Sequence, residues 1–183
     1  MRLSSSNAVI PHSVPGLVYG NVRVASWRVR THAIHHRVHV RLADPDDAEA
    51  IAEIDPEYTV DKAREEISRD VSRVHVAIES DDATDTRAGL VVGWLAAWHV
   101  PPHELQIIQI TVSPVKRRRG IGRLLLRTAL DAYVSSVDQT VLEVREDNTA
   151  ALGLYEWAGF ERAGPVRKNY YRDGCGAVCM IKR

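Results

Sequence analysis

Residues 104–126, ELQIIQITVSPVKRRRGIGRLLL, limit more than any other stretch what this chain can become. Nine residues of strand character end before Pro114, and four consecutive cations, Lys116, Arg117, Arg118 and Arg119, precede Gly120-Ile121-Gly122. Ile121, Leu124, Leu125, Ala129 and Ala132 then recur at helical spacing and form one apolar face. A strand, a glycine turn and a helix in direct succession belong to an α/β domain. Neither glycine has a Cβ, so the turn can be tight and a ligand can approach the backbone. The first amides of the helix have no intrahelical partner and lie at the positive end of its dipole. A phosphate or pyrophosphate fits there. The plainer reading of the same residues is a solvated basic loop. There is no G-x-x-x-x-G-K-S/T, which excludes a phosphate loop of the NTPase kind, and no G-x-G-x-x-G with an acid about twenty positions on, which argues against a dinucleotide fold.

The flanking sequence alternates strands and helices. VHVRL (38–42) reads as a strand, and ADPDDAEAIAEI (43–54) as a helix with Asp44 as N-cap, Pro45 at the first helical position and acids in the first turn. TVDKAREEISRDV (59–71) predicts a second helix, VHVAIE (74–79) a strand and SDDATDTRAG (80–89) a polar turn. LVVGWLAAWHV (90–100) is a longer buried strand ended by Pro101-Pro102, and ELQIIQITV (104–112) is the next. Beyond the helix at 120–134, TVLEVR (140–145) is a strand and NTAALGLYEWAG (148–159) a helix closed by Gly159. Two last strands, near 160–166 and 176–181, flank KNYYRDG. The expected fold class is α/β, with a mixed, mostly antiparallel central sheet of about seven strands and about four helices. One domain is expected over 38–183.

Charge excludes one class of partner. The chain is neutral overall, but residues 1–41 carry six arginines and no acid, leaving 18 Lys and Arg against 24 Asp and Glu thereafter, net −6. An acidic domain repels nucleic-acid phosphates, so no nucleic acid is expected. No apolar run reaches membrane-spanning length, so no membrane partner is expected either. Residues 1–37, rich in Arg, Ser and His and punctuated by Pro and Gly, are expected to be a poorly ordered extension; the composition also resembles an organellar transit peptide. His32, His35, His36 and His39 crowd together, but no second ligand group stands at a defined spacing, and no metal site is expected. Cys175 and Cys179 would lie about 13 Å apart along a strand, too far for a disulfide. They read as reduced thiols in a reducing compartment, the cytoplasm.

The stretch ITVSPVKRRRGIGRLLL resembles the acetyl-CoA signature of the GNAT N-acetyltransferase superfamily: an apolar-x-Val strand end, a Pro, then Q/R-x-x-G-x-G/A, with Arg117, Gly120 and Gly122 at the defining positions. The resemblance implies the GNAT fold over nearly all of the acidic domain. It implies that the amides of Arg118, Arg119, Gly120, Ile121, Gly122 and Arg123 hold the CoA pyrophosphate. The backbone of Ile110, Thr111 and Val112 would pair with the pantetheine arm. A second motif, LEVREDNTAALGLYEWAGF followed by NYYRDG, is similar to the RimI-like branch, the ribosomal-protein alanine N-acetyltransferases. That similarity implies Glu143 as general base, Asn148 as a cofactor contact and Tyr155 as general acid, with acetyl-CoA as co-substrate and no metal.

The chemistry fits these residue types. An ammonium must lose a proton before it can attack a thioester, and a carboxylate at the centre of a sheet can take it, directly or through water. Strand alternation puts Leu142 and Val144 on one face and Glu143 on the other. Plainer readings stand beside these: Glu143 as a solvated carboxylate paired with Arg145, Tyr155 as a core aromatic, Asn148 as the N-cap of its own helix. Neither cysteine has a base beside it in sequence, so direct transfer in a ternary complex is expected rather than a thiol intermediate.

For the acceptor, Tyr58, Tyr170 and Tyr171 could line a slot for a peptide N-terminus, with Glu57 to recognise the ammonium. DPEYTV stands where the branch usually has an apolar-Pro-Trp-like feature. The expected function is acetyl transfer from acetyl-CoA to a primary amine, foremost a protein N-terminal α-amine. The alternatives are a GNAT acting on a small amine (antibiotic, polyamine or amino acid) and a non-catalytic acetyl-CoA-binding module. The expected assembly is a monomer or homodimer.

Overall fold

Strand register decides where this molecule can open. In a computed structural model that describes residues 26–27, 37–80 and 89–183, strand β1 (Ser26–Trp27) pairs antiparallel with β2 (Arg37–Leu42). A 3-10 turn at Pro45–Asp47 leads into helix α1 (Ala48–Ile54), and α2 (Val60–Ser68) follows. Strands β3 (Ser72–Ser80), β4 (Leu90–Val100) and β5 (Glu104–Val112) then form an antiparallel meander. After a second 3-10 turn at Pro114–Lys116 come α3 (Ile121–Tyr133), β6 (Gln139–Arg145), α4 (Thr149–Trp157), β7 (Glu161–Arg162) and β8 (Ala177–Lys182). The sheet order is β1-β2-β3-β4-β5-β6-β8-β7, and only β5 with β6 is parallel. This is the mixed, mostly antiparallel sheet with four helices that the sequence predicts.

Several boundaries differ from expectation for identifiable reasons. The helix expected over 43–54 opens as a 3-10 turn, where Asp44 accepts from the Asp46 amide and Asp47 accepts from the Asp44 amide. The helix expected over 59–71 stops at Ser68, because Arg69 turns to extended backbone and Ser72 already begins β3. The strand expected over 160–166 shrinks to Glu161–Arg162; Gly164 has φ +82° and Pro165 has no amide to give to a ladder. Of the expected extension 1–37, Ser26, Trp27 and Arg37 are described, and the first two pair with His39 and Val38. The rest of that expectation, with His32, His35 and His36, lies outside the described residues, as does the polar turn over 81–88.

The two faces of the sheet carry separate cores. On one, Leu124, Leu125 and Leu126 of α3 and Leu152 and Tyr155 of α4 pack on Leu105, Ile107, Leu142, Val144 and Val178. On the other, Ala48 and Ile51 of α1 and Ala63 of α2 pack on Val74, Val76, Ile78 and Trp94. No helix among the described residues is long and apolar enough to cross a membrane.

One irregularity shapes the sheet centre. Opposite β4, Ala96 pairs with Gln109 and Ala97 with Ile107, so Ile108 is an extra residue in β5. A bulge bends its strand and increases local twist. The recorded pairing of β5 with β6 runs from Glu104↔Gln139 to Ile107↔Leu142 and goes no further. Beyond that point β5 continues to Val112 and β6 to Arg145, and a gap opens between them.

The buried carboxylate of Asp55, 2% exposed, ties the α1–α2 loop to this region. Its Oδ2 accepts from Trp94 Nε1 (3.1 Å), Gln109 Nε2 (2.9 Å) and Thr111 Oγ1 (2.6 Å), and its Oδ1 accepts from the Glu57 amide (3.1 Å). Truncation leaves the fully buried Trp94 indole N–H without its acceptor, at a cost of about 1–3 kcal/mol before the other bonds are counted. Asp55→Ala is therefore expected to lower stability by about 3 kcal/mol in urea unfolding, and Asp55→Asn by less, since its amide oxygen still accepts. Equal midpoints for parent and Asp55→Ala would contradict this role.

His75 sits mid-β3 between Leu42 and Leu95, 1% exposed, and burial depresses its pKa to about 4. The unfolded chain titrates near the ordinary value, about 6.5. Below that pH the unfolded state binds a proton that the folded state refuses until about pH 4, so stability falls as pH drops through this window and is unaffected above it. The full effect is about 3 kcal/mol. Urea midpoints between pH 7 and pH 4 should fall more steeply for the parent than for His75→Leu; parallel slopes would refute the assignment.

Candidate active site

The gap beyond Ile107 and Leu142 is flanked by most of the residues singled out from sequence. On its β5 side, Ile110 and Val112 pack toward α3 and α4, while Gln109 and Thr111 turn their side chains to Asp55 on the opposite face. The backbone of Ile110, Thr111 and Val112 continues past the last partner on β6, so its gap-facing polar groups, apart from the Val112 carbonyl, are open to an extended ligand.

At the end of β5 the chain turns through the cationic loop. Arg117 donates from Nε to the carbonyl of Val112 at 3.0 Å, which fixes the start of the loop to the strand end. Arg118 (φ +63°) and Gly120 (φ +83°) both take left-handed backbone, and Gly120 becomes the N-cap of α3. Leu124 donates to the Gly120 carbonyl at 3.0 Å, and the amides of Ile121, Gly122 and Arg123 before it have no intrahelical acceptor. A Cβ on Gly120 would meet nothing within 4 Å, so glycine is required here by its dihedral and not by crowding. These amides and the N-terminus of a thirteen-residue helix can hold a phosphate group.

The cations of this loop are not equivalent. Lys116 is ion-paired with Glu79 of β3, and Arg119 lies 3.7 Å from the same carboxylate. Arg123 stacks on Trp157 of α4, its guanidinium 4.6 Å from the ring centroid, which leaves its amide for a ligand. A solvated Lys116, the plain expectation for that residue, is not what is found: its side chain is 21% exposed against a Glu79 that is 9% exposed.

Glu143 lies in mid-β6, exposed, on the face opposite to Leu142 and Val144, as alternation requires. Its partner is not Arg145, which binds Asp147 and Asp173 at 3.0 and 2.8 Å. Arg167 and the hydroxyl of Tyr170 donate to its two oxygens, and Cys179, directly across from it on β8, places its thiol 3.7 Å from Oε1. Burial pushes that thiol's pKa above its ordinary value, so the sulfur is held as a thiol and is a poor nucleophile.

Tyr155 is 6% exposed in the α4-side core, edge-on to Phe160 at 5.8 Å. Burial raises its phenol to about 12, with the neighbouring Tyr171 adding to the effect. Tyr155 and Glu143 therefore belong to opposite faces of β6. Asn148 caps α4 by accepting from the Ala151 amide at 3.1 Å, and it is exposed, so capping leaves its amide group accessible.

The residues expected for acceptor binding stand on two walls. Tyr58 packs edge-on to Trp94 at 4.6 Å; burial, with Glu66 and Asp55 adding, raises its phenol to about 12. Glu57 beside it is exposed and held through its amide by Asp55. Tyr170 and Tyr171 stack edge-on at 5.2 Å in the β7–β8 loop, where both amides donate to the Cys175 carbonyl. In the strand order β4-β5-β6-β8, the gap lies between these walls. Sequence reasoning passed over Asp55 and Arg167, and it read Cys179 as a thiol with no base beside it in sequence, whereas Glu143 stands directly across from it on β6. A tryptophan within a fully apolar strand, needing an acceptor for its indole N–H, is the one signal that could have pointed to Asp55.

Comparison with known proteins gives this geometry a family. The model of the acetyltransferase (GNAT) family matches residues 39–160. N-alpha-acetyltransferase RimI of Mycobacterium tuberculosis is 50% identical over 81 residues, 44% of this chain and 49% of that protein. The ribosomal protein bS18-alanine N-acetyltransferase of Salmonella typhimurium is 44% identical over 74 residues, 40% of this chain and 49% of that one. The matched stretches thus span about half the length of these curated relatives. The crystal structure of the ribosomal-protein-S18-alanine N-acetyltransferase from Escherichia coli superposes with TM-score 0.66 and 25% identity, over 79% of this chain and 92% of that one. A family match across most of the sheet and both central helices, on the fold described above, establishes that this chain belongs to the acetyltransferase (GNAT) family.

Proposed function

We propose that this chain transfers an acetyl group from acetyl-CoA to a primary amine, foremost the α-amine of a protein N-terminus, directly within a ternary complex. The observation that carries the reading is Glu143 on one side of a gap in the sheet, with an anion-holding loop at the end of the strand on the other side. The relatives named above, which act on an N-terminal amine by their names, support the choice of acceptor.

In this reading the amides of Arg118 to Arg123 hold the CoA pyrophosphate, and Ile110, Thr111 and Val112 pair with its pantetheine arm through their backbone. Asn148 contacts that arm while capping α4. The thioester lies in the gap, so the acceptor reaches it from the Glu143 face and the thiol departs on the Tyr155 face. The amine nitrogen forms the new C–N bond, and its surplus proton passes to Glu143, directly or through one water. Gap-facing amides of β5 stabilise the tetrahedral oxyanion until the C–S bond breaks. A phenol raised to about 12 would give its proton to a thiolate only uphill, since a thiol titrates near 8.5. In this reading Tyr155 stabilises the departing thiolate by donating a hydrogen bond, in place of the full proton transfer of the general acid that the resemblance implies. Cys179, protonated and beside Glu143, carries no acetyl group. Glu57, Tyr58, Tyr170 and Tyr171 line the acceptor side. The free Cys175 and Cys179 fit a reducing compartment, which we take to be the cytoplasm.

Acetyl-CoA turnover against a panel of N-terminal peptides and small amines decides among the readings. Thiol release with peptides is expected; release with small amines alone would select the small-molecule alternative, and acetyl-CoA binding without any release would select the non-catalytic one. Glu143→Gln should lower turnover about 100-fold while leaving acetyl-CoA affinity unchanged. A fully active Glu143→Gln would mean that another base, or water, suffices.

Gly120→Val puts a β-branched residue at φ +83°. It should weaken acetyl-CoA binding by about tenfold or more, as strain of about 1–2 kcal/mol rearranges the loop. Isothermal titration of acetyl-CoA reads this directly, and an unchanged affinity would remove the loop from the cofactor site.

A further inference from the structure

Glu143 is not a free carboxylate. Arg167 donates through Nη1 to Oε1 and the Tyr170 hydroxyl donates to Oε2. The Cys179 thiol also approaches Oε1, at 3.7 Å. An ionised carboxylate has about four acceptor positions, so three are engaged and the remaining one is on Oε2. Arg145, the cation on Glu143's own strand β6, is spent on Asp147 and Asp173. The guanidinium of Arg167 also lies 5.9 Å from the Tyr170 ring centroid, so one cation touches both groups that meet at Glu143.

A guanidinium stays protonated at every working pH, so the charge of Glu143 is balanced in place. Such a base keeps one lone pair to receive a proton, yet offers an incoming ammonium ion no net negative charge. An unpaired carboxylate would do both. The acceptor is thereby taken as the neutral amine, its extra proton left in solvent, and the proton that Oε2 receives is the one nitrogen loses on forming the C–N bond.

We propose that Arg167 is a specificity-determining residue that, by occupying Glu143, makes the site select weakly basic primary amines, protein α-amines, over the ε-amine of lysine. The proposal rests on the acetyl-transfer reading above. An α-amine titrates about 2.5 units below lysine, so its neutral fraction at pH 7 is roughly 300-fold larger. A site that admits only the neutral form keeps that advantage in KM; a site that also binds ammonium gives part of it away there. Because the pair is half-exposed, at 57% and 34%, the expected change on removing Arg167 is moderate.

The test compares two peptides, one with a free α-amine and no lysine, the other Nα-blocked with a single lysine, in the parent, Arg167→Gln and Arg167→Lys. The ratio of KM for the ε-amine over the α-amine peptide should fall about five-fold in Arg167→Gln, through a lower KM for the lysine peptide, and recover in Arg167→Lys. An unchanged ratio in Arg167→Gln overturns the role of Arg167. A parent that acetylates neither peptide nor any other amine overturns the acetyl-transfer reading itself. A second measurement needs no turnover. The thiol of Cys179, raised first by burial, is raised further by Glu143 and lowered by Arg167. Peptide-resolved alkylation of Cys179 by iodoacetamide at pH 8 should therefore be slower in Arg167→Gln and faster in Glu143→Gln than in the parent. Equal rates in all three would mean that the cluster does not exist as described, and the proposal falls.

Discussion

The parallel ladder between β5 and β6 ends at Ile107 and Leu142 because Ile108 is inserted in β5 against β4. At that point the pairing of β5 with β6 lapses and the sheet opens. Two consecutive side chains, Ile108 and Gln109, fall on the α1–α2 side, and the alternation resumes with Ile110 on the other. The strand thus swings away from β6 while both of its faces stay packed. A gap made by loops would need loops to line it. This one has rigid strand backbone along its edge, which suits a site that must hold reacting atoms in register.

Asp55 stabilises the opposite wall by a different means. A buried carboxylate is costly unless its lone pairs are used, and here three side-chain donors and one amide use them. Two of those donors, Gln109 and Thr111, come from the strand that diverges, so the α1–α2 loop and the β5 edge cannot move independently. The loop bearing Glu57 and Tyr58 is therefore positioned by the same strand that borders the gap. Glu143 and Tyr155 lie on opposite faces of β6, so the sheet itself stands between the carboxylate and the phenol.

Much of this is legible in the sequence, but unevenly. Continuous apolar runs such as LVVGWLAAWHV and the stripe beginning at Ile121 fix strands and helices, because burial on both faces or on one leaves a clear period. The glycine loop and Glu143 are legible because local chemistry and local structure coincide there. Asp55, Arg167 and Cys179 are not, since each acquires its meaning from partners 24 to 56 residues away. The same holds for the bulge at Ile108: nothing in ELQIIQITV marks one residue as extra until β4 is laid beside it. Tyr155 is the mixed case. Its place on an apolar stripe is evident, but the depth of its burial, which sets how far its phenol is raised, depends on Phe160 and the strands beneath it.

Glu79, at the end of β3, changes how the basic loop behaves toward its surroundings. It takes up Lys116 directly and lies 3.7 Å from the still exposed Arg119, so one of the four cations is withdrawn from solvent and three remain there. Exposed charges are screened by salt over about 10 Å at 0.1 M, whereas oriented backbone amides at a helix start carry no mobile counter-ions of their own. An anion gripped in this loop would be oriented by backbone amides, while the attraction that draws it in, from dipole and exposed arginines alike, weakens as salt rises. A loop that looks in sequence like a purely electrostatic trap is also shaped, by the left-handed turn at Gly120, to orient what it would hold.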